Sequence, residues 1–174
     1  AYALSDETLY FVNASDQRIY KTDLSGESEP FPITGLSLQR FADLIIDRNN
    51  QRLIAVCEEH QGEQEPENYL VSISLNSESP SVKKLVSGAD FYAYPRISPD
   101  QTTLCWIQWQ HPNMPWDCTQ LWQAAINSDG SLTNKTLVAG ENNNEAIFQP
   151  QWSPDNQLYF VSDKNNWWNI YRAE

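Results

Sequence analysis

QPQWSPDNQLYFVSDKNNWWNIYRAE, from Gln149 to Glu174, is a unit of strands separated by tight turns. Its Pro-Asp-Asn segment at 154–156 is typical of a turn, because Pro fixes φ at the first central position and Asp and Asn tolerate the conformations that follow. Aromatic and β-branched residues at 158–161 and 169–172 predict two of the strands. The stretch therefore predicts a small antiparallel meander, which needs similar neighbours to bury its faces.

The same unit recurs along the chain with a period of about 52 residues. A turn aspartate is found at Asp155, Asp100 and Asp47, at separations of 55 and 53 residues. Three strand segments also recur at matching phases. The first lies at 158–161, 104–107, 53–56 and 9–12, the second around 170, 121, 70 and 19, and the third at 135–140, 84–88 and 31–35. Four element types at a constant period near 52 residues, with four strands per repeat, are typical of β-propeller blades.

We therefore predict an all-β fold, a partial β-propeller of about four blades. Each blade is expected to be a four-stranded antiparallel sheet, with the last one incomplete. The blades are predicted within a single propeller fragment, at residues 1–35, 40–88, 92–140 and 147–174. Because the last blade has no outer strand in this pattern, we expect an arc cut from a larger propeller. Exposed blade edges of this kind favour self-association through strand pairing.

Composition excludes two classes of partner. The chain has 11 basic and 23 acidic residues, for a net charge of −12, and no basic stripe. Nucleic acids and anionic membrane surfaces both bind proteins through clustered Lys and Arg side chains, so neither is predicted as a partner. No apolar run approaches the ~20 residues that a spanning helix needs. The three cysteines have no paired metal-ligand spacing, and we expect buried reduced thiols and a cytoplasmic location.

The motifs of common active sites are missing from the sequence. There is no Gly-x-Ser-x-Gly nucleophile elbow, and the two histidines, His60 and His111, belong to no His-x-x-x-His pair or Cys/His cluster. No Gly-rich phosphate loop is present either. We therefore predict no catalytic residue, no metal ligand and no cofactor for this chain.

The candidate binding residues follow the second strand of two blades. They are Glu58, Glu59 and His60, in a long acidic connection at 58–67, and His111, Trp116 and Asp117, in the loop at 110–117. The repeat places Asp163 at the equivalent point of the fourth blade. All of them are expected on one rim of the propeller, where loops present polar groups to a ligand or an attached domain.

A purely structural role is the alternative for these residues. The acidic connection would then be solvated surface, and Pro112, Pro115 and Trp116 would pin a long loop onto its blade. Three further tryptophans, Trp106, Trp152 and Trp168, are predicted to pack between blades.

Five segments together resemble the N-terminal propeller of prolyl-oligopeptidase-family serine peptidases, most closely the bacterial acylaminoacyl-peptidase and dipeptidyl-aminopeptidase-like branch. They are RFADLIID, SGADFYAYPRISPD, WQHPNMPWDCTQLW, IFQPQWSPD and FVSDKNNWWNIYR. The His-Pro-Asn-Met-Pro-Trp-Asp loop at 111–117 is the most specific of these features. Ser-Pro-Asp turns alone are shared with related propellers such as that of TolB.

The resemblance implies a propeller of about seven blades that caps an α/β-hydrolase domain with a Ser-Asp-His triad and restricts which peptides reach it. The hydrolase domain of the presumed parent is absent here, so the chain alone is expected to be inactive. The predicted partners are peptide substrates and that hydrolase domain. In dipeptidyl-peptidase relatives paired propeller glutamates bind the substrate amino group, and Glu58 and Glu59 are similar in type.

Two other functions stay open on the residues. One is a non-enzymatic TolB-like propeller that acts as a protein-interaction scaffold. The other is a small-molecule or carbohydrate enzyme, which would need convergent acids or metal ligands on the inner strands, where Asp43 is the clear acid.

Overall fold

The structure is a computed structural model that describes residues 1–76, 81–142 and 144–174. In these residues it contains β-strands and no helix. The strands of the first two sheets are β1 (Tyr2–Ser5), β2 (Thr8–Val12), β3 (Ile19–Asp23) and β4 (Phe31–Pro32), then β5 (Gln39–Asp47), β6 (Arg52–Glu59), β7 (Glu67–Ser74) and β8 (Val82–Val86). Those of the last two are β9 (Phe91–Ile97), β10 (Thr103–Trp109), β11 (Gln120–Ile126) and β12 (Leu132–Ala139), then β13 (Ile147–Trp152), β14 (Leu158–Ser162) and β15 (Asn169–Arg172).

Each sheet is formed by consecutive strands that pair antiparallel. The first three sheets have four strands and the last has three. This arrangement confirms the predicted all-β partial propeller. The chain divides into two compact units, Ala1–Gly88 and Ala89–Glu174, and each unit contains two sheets.

The core of the first unit lies between its two sheets. In that unit β5 packs against β1 and β2. The second strand, β6, is buried along nearly its whole length, since it lies in the middle of its sheet and both of its faces are covered. The core side chains include Tyr10, Ile19, Phe41, Leu53, Val71 and Ile73. Burial on both faces explains why the sequence at 53–57 is apolar without alternation.

The core of the second unit is built in the same way. Here β13 packs against β9, β10 and β11. The buried side chains are those of Cys105, Ile107, Leu121, Ile147, Leu158 and Phe160. The indole of Trp152 donates a hydrogen bond of 3.2 Å to the carbonyl of Arg96, which ties the two sheets together as the sequence predicted.

One of the three tryptophans predicted to pack between blades does not do so. Trp106 is fully buried, but Trp168 is 51% exposed. Its ring makes an edge contact with Phe148, at 5.6 Å between ring centroids, in its own blade. Trp168 follows the turn after β14, where the sheet no longer covers it. Aromatic character alone therefore did not separate a buried ring from a surface ring.

The turn aspartates of the repeat also differ from the sequence alignment. Asp100 and Asp155 lie in exposed turns, where each accepts a hydrogen bond of 2.6 Å from the serine two residues before it. Asp47 is instead the fully buried last residue of β5. Its carboxylate accepts from Arg52 Nε at 2.7 Å and from the backbone N–H of Asn50 at 3.1 Å, so it combines a buried ion pair with the turn cap.

The first strands of three blades share a β-bulge. Asp43, Tyr94 and Gln149 have φ angles of 49°, 53° and 50°, in the left-handed region that non-glycine residues rarely occupy. In each of these blades the pairing of the first strand with the second is shifted in register. A bulge of this kind bends the strand and re-aims its side chains.

Candidate functional site

The acidic candidates of the first unit lie on a strand, and the predicted loop is shorter than expected. Strand β6 continues through Glu58 and Glu59, which pair with Asn68 and Glu67 of β7. The extended ladder satisfies backbone groups that a loop would leave to water. Because successive strand residues point to opposite faces of a sheet, the two carboxylates point away from each other. The structure therefore does not bring them together in one clamp.

Each of the two glutamates has its own hydrogen-bond partner. His60 Nε2 lies 2.5 Å from Glu58 Oε1. The carboxylate of Glu59 accepts from the hydroxyl of Tyr69 at 2.9 Å and from the amide of Gln39 at 3.4 Å. Gln39 also donates to the Tyr69 hydroxyl at 3.1 Å. Glu59 thus forms a hydrogen-bonded network with Tyr69 and Gln39. The carboxylate of Glu58 instead contacts His60, whose side chain is 29% exposed.

Tyr69 anchors this network. Its side chain is buried, and burial raises the pKa of its phenol well above the usual range. The phenol therefore remains a donor to Glu59 at any pH near neutrality. Lys84 lies over its ring, at 4.2 Å from the centroid, and pairs with Glu67 at 2.8 Å. The cation covers the aromatic face that the sheet leaves open.

In the second unit, the loop after β10 is held by Asp90, which precedes β9, and by a carboxylate of its own. The backbone N–H of His111 donates to Asp90 at 2.8 Å, and the carboxylate of Asp117 accepts from the N–H of Met114 at 2.9 Å. The His111 ring makes an edge contact with Phe91, at 4.8 Å between centroids. Trp116 is 59% exposed, so it does not pin the loop as one of the alternatives predicted.

The base of this loop is tied to the fourth blade. The buried hydroxyl of Thr119 donates to the carbonyl of Ile147 and accepts from its N–H, at 3.0 and 2.6 Å. Glu145 accepts hydrogen bonds from the N–H of Gly140, at 2.9 Å, and from the hydroxyl of Ser162. The sequence carried no motif for these residues, because their roles arise from the pairing of two separate blades.

His111 and Asp163 do occupy equivalent places in their blades, since each lies just after the second strand, β10 or β14. Asp163 accepts a hydrogen bond of 2.8 Å from the N–H of Ala146, which fixes the start of β13. Glu58 and Glu59 end the second strand of their own blade in the first unit. That all of these residues share one rim of a propeller stays a prediction.

Neither unit offers a metal site or a reactive thiol among the residues that the structure describes. No group of three or more His, Cys, Asp or Glu side chains there is arranged to hold a metal ion. Cys57, Cys105 and Cys118 are free and buried. Burial raises the pKa of the Cys57 thiol to about 11 and that of Cys105 to about 12, so both remain protonated near neutral pH. Within the described ranges, no helix has the length and hydropathy needed to cross a membrane.

Two solved peptidase structures match nearly the whole of this chain. A puromycin-hydrolyzing peptidase of Mycobacterium tuberculosis matches 99% of this chain with 33% identity and a TM-score of 0.86. A puromycin hydrolase matches 95% of it with 31% identity and a TM-score of 0.86. The chain matches the propeller of the prolyl-oligopeptidase family. The predicted resemblance is thereby confirmed at the level of the family, and the branch named from the sequence stays a prediction.

The match covers a minor part of those peptidases. This chain spans 28% of the first and 27% of the second. A putative TolB from Agrobacterium tumefaciens matches 95% of this chain, and 53% of its own, with 18% identity and a TM-score of 0.59, which shows a shared fold alone. No protein-family model matches the chain. No curated protein sequence matches it either.

Proposed function

We propose that this chain is a non-catalytic propeller segment of a peptidase, which restricts the access of peptides and helps to recognise them for a hydrolase domain of the same parent chain. The observation that carries the proposal is the identity of 31–33% with two puromycin-hydrolysing peptidases over nearly the whole chain. Puromycin is an aminoacyl nucleoside with a free α-amino group. Aminoacyl compounds and short peptides with a free amino terminus are therefore the proposed substrate class.

Glu58 is the candidate for binding the substrate's ammonium group. A carboxylate that binds an ammonium ion has to be accessible, and Glu58 is 42% exposed. The neighbouring carboxylate of Glu59 already accepts from Tyr69 and Gln39, which hold it in its sheet. His60 contacts the carboxylate of Glu58, and its side chain is also partly exposed, so it can move aside when a ligand binds.

Hydrolysis of puromycin and of alanine p-nitroanilide tests the main proposal. The 174-residue chain is compared with the longest natural chain that contains it. We expect hydrolysis by the long form alone, and loss of that activity with a serine-directed inhibitor. Absence of activity in both forms would overturn the peptidase proposal. The TolB-like fold would then favour the alternative, a propeller that acts as a protein-interaction scaffold.

The role of Glu58 is tested in the long form with Glu58→Gln. The variant is expected to raise KM for alanine p-nitroanilide roughly tenfold, because a charge-assisted contact to the ammonium group is lost. The kinetics of the N-acetylated substrate should not change. Glu63→Gln is the matched control, since Glu63 is an exposed acid of the same connection. Equal effects of the two substitutions would assign the change to general surface charge.

A further inference from the structure

A row of three aromatic rings and a guanidinium lies on the second unit, apart from the candidate residues described above. The guanidinium of Arg96 lies over the ring of Tyr94, at 5.5 Å from its centroid. The Tyr94 ring makes an edge contact with Phe148 at 6.3 Å, and Phe148 makes one with Trp168 at 5.6 Å. Arg96 and Tyr94 belong to β9, Phe148 to β13, and Trp168 precedes β15. These four side chains are called the aromatic row below.

The backbone beneath the aromatic row is strained at two places. Tyr94 and Gln149, the residue after Phe148, both have φ near +50° in the β-bulges of their strands. A non-glycine residue in this conformation costs of order 1 kcal/mol, and such residues cluster where a side chain has to be aimed at a ligand. The same bulge occurs at Asp43 in the first unit, so it is a feature of the blades, and in the second unit it sets the direction of the side chains in the row.

The guanidinium at one end of the row forms no ion pair with a carboxylate among the described residues. Among the residues that the structure describes, the ion pairs of arginine involve Arg48 and Arg52, and Arg96 forms none. Arg18, Arg40 and Arg172 form no ion pair there either, so what distinguishes Arg96 is its place beside the aromatic rings. Arg96 donates from Nη1 to the carbonyl of Pro95, which leaves further N–H groups of the fork to bind an anion.

We propose that the aromatic row binds an aromatic carboxylate, such as the C-terminal Phe, Tyr or Trp residue of a short peptide. The carboxylate would pair with Arg96, because a planar guanidinium matches the two oxygens of a carboxylate. The ligand's ring would pack beside Phe148 and the exposed face of Trp168, in the offset or edge-to-face arrangement that aromatic rings prefer. This site is independent of hydrolysis and of the proposed peptidase role.

Binding of three small probes to the 174-residue chain tests the site. They are N-acetyl-L-phenylalanine, its neutral amide, and N-acetyl-L-alanine, and binding is followed by the backbone amide signals in ¹H–¹⁵N NMR spectra. We expect the aromatic acid to bind roughly tenfold more tightly than the aromatic amide, since a charge-assisted contact is lost in the amide. The alanine acid, which has no ring, should bind more weakly still.

Substitutions separate the charge from the rings. Arg96→Gln should abolish the preference for the acid over the amide, and Trp168→Ala should weaken both aromatic probes by severalfold. The matched controls are Arg172→Gln and Trp167→Ala, because Arg172 is exposed and Trp167 is 77% exposed beside Trp168. The dispersion of the spectra establishes that each variant is folded, and Arg96→Lys, with its charge retained, should keep part of the preference.

Four outcomes would overturn the proposal. The first three are equal affinity for acid and amide in the unaltered chain, no shift with any probe, and equal effects of the substitutions and their controls. Binding of N-acetyl-L-alanine as tightly as N-acetyl-L-phenylalanine would also reject the proposal, because the site would then recognise the carboxylate without contacting the aromatic ring.

Discussion

At the scale of single residues, the buried ion pair of Asp47 and Arg52 makes the fold sensitive to the loss of either partner. Their side chains are 0% and 8% exposed, and Nη2 of Arg52 has no hydrogen-bond partner. Removal of the carboxylate by Asp47→Ala would leave the guanidinium buried without a counter-ion, which costs about 3–5 kcal/mol. The expected result is a large fall in the midpoint of urea unfolding, measured by far-ultraviolet circular dichroism because no tryptophan lies in the first unit.

Arg48→Met is the control for this prediction. Arg48 pairs with Asp6 at 3.3 Å, but their side chains are 53% and 81% exposed. An exposed pair contributes about 0–1 kcal/mol, so its loss should barely move the midpoint. Similar losses from the two substitutions would show that burial does not set the strength of the Asp47 contact.

The buried thiols predict a dependence of stability on alkaline pH. The pKa values of Cys57 and Cys105 rise from 9.0 to about 11 and about 12 on folding, because burial disfavours the thiolate. A group whose pKa is raised in the folded state stabilises that state below its unfolded pKa, and this contribution is lost as the pH rises toward the folded pKa. The urea midpoint should therefore fall steadily from pH 9 to pH 11.

The double variant Cys57→Ala, Cys105→Ala tests the cause of this fall. Its midpoint at pH 8 will be lower because two buried side chains are shortened, so the slope with pH is the quantity to compare. We expect a shallower slope in the variant. An unchanged slope would assign the alkaline loss to other groups, such as Tyr69, whose pKa is also raised by burial.

At the scale of elements, strands were more predictable than the ends of strands. The second strands were found from apolar residues at a constant phase, because a strand buried on both faces leaves a run of Leu, Ile, Val and Cys. The end of β6 was missed by two residues, since Glu58 and Glu59 extend the ladder through backbone pairing, which does not depend on apolar side chains. The sequence therefore showed that the strands recur at a constant phase, but it did not show which residues pair at the ends of the strands.

The bulges of the first strands were not predicted from the sequence. Pro follows two of the three residues with left-handed backbone, Tyr94 and Gln149, but this pattern alone does not indicate a bulge.

At Gln149 the left-handed backbone predicts an unusual response to substitution. Gln149→Val should destabilise the second unit by about 1–2 kcal/mol, because a β-branched side chain clashes with its own backbone at positive φ. Gln151→Val, two residues later on the same exposed face of β13, should be neutral or slightly stabilising.

Thermal unfolding followed by tryptophan fluorescence measures this pair of variants, since all seven tryptophans lie in the second unit. Gln149→Gly is a further comparison, because glycine adopts positive φ without a steric cost. Equal melting temperatures for the two valine variants would mean that the bulge relaxes to ordinary strand geometry at little cost.

At the scale of the whole molecule, the candidate site was only partly predictable. The sequence located Glu58, Glu59, His60, His111, Trp116 and Asp117 by their phase in the repeat. It did not reveal which of them already accept hydrogen bonds from other side chains. The hydrogen bonds of Glu59 come from Gln39 and Tyr69, which lie on two other strands. Tertiary contacts of this kind leave no local pattern in the sequence.

The edge strand of the last sheet predicts association between copies. Among the described residues β15 pairs with β14 alone, and Ile170 on it is 75% exposed. An exposed strand with unpaired backbone groups and an apolar side chain can add to the sheet of a second copy. Sedimentation of the 174-residue chain should therefore show dimers whose fraction rises with concentration.

Ile170→Lys should shift this equilibrium to the monomer, because a lysine on an edge strand opposes strand addition by charge and solvation. Phe31→Lys is the matched control, since Phe31 is 60% exposed on the outermost strand of the first sheet, β4. If Phe31→Lys disrupts the dimers and Ile170→Lys does not, association runs through the first sheet. A clean monomer at high concentration would instead mean that the edge of β15 does not pair, and the predicted self-association would be wrong.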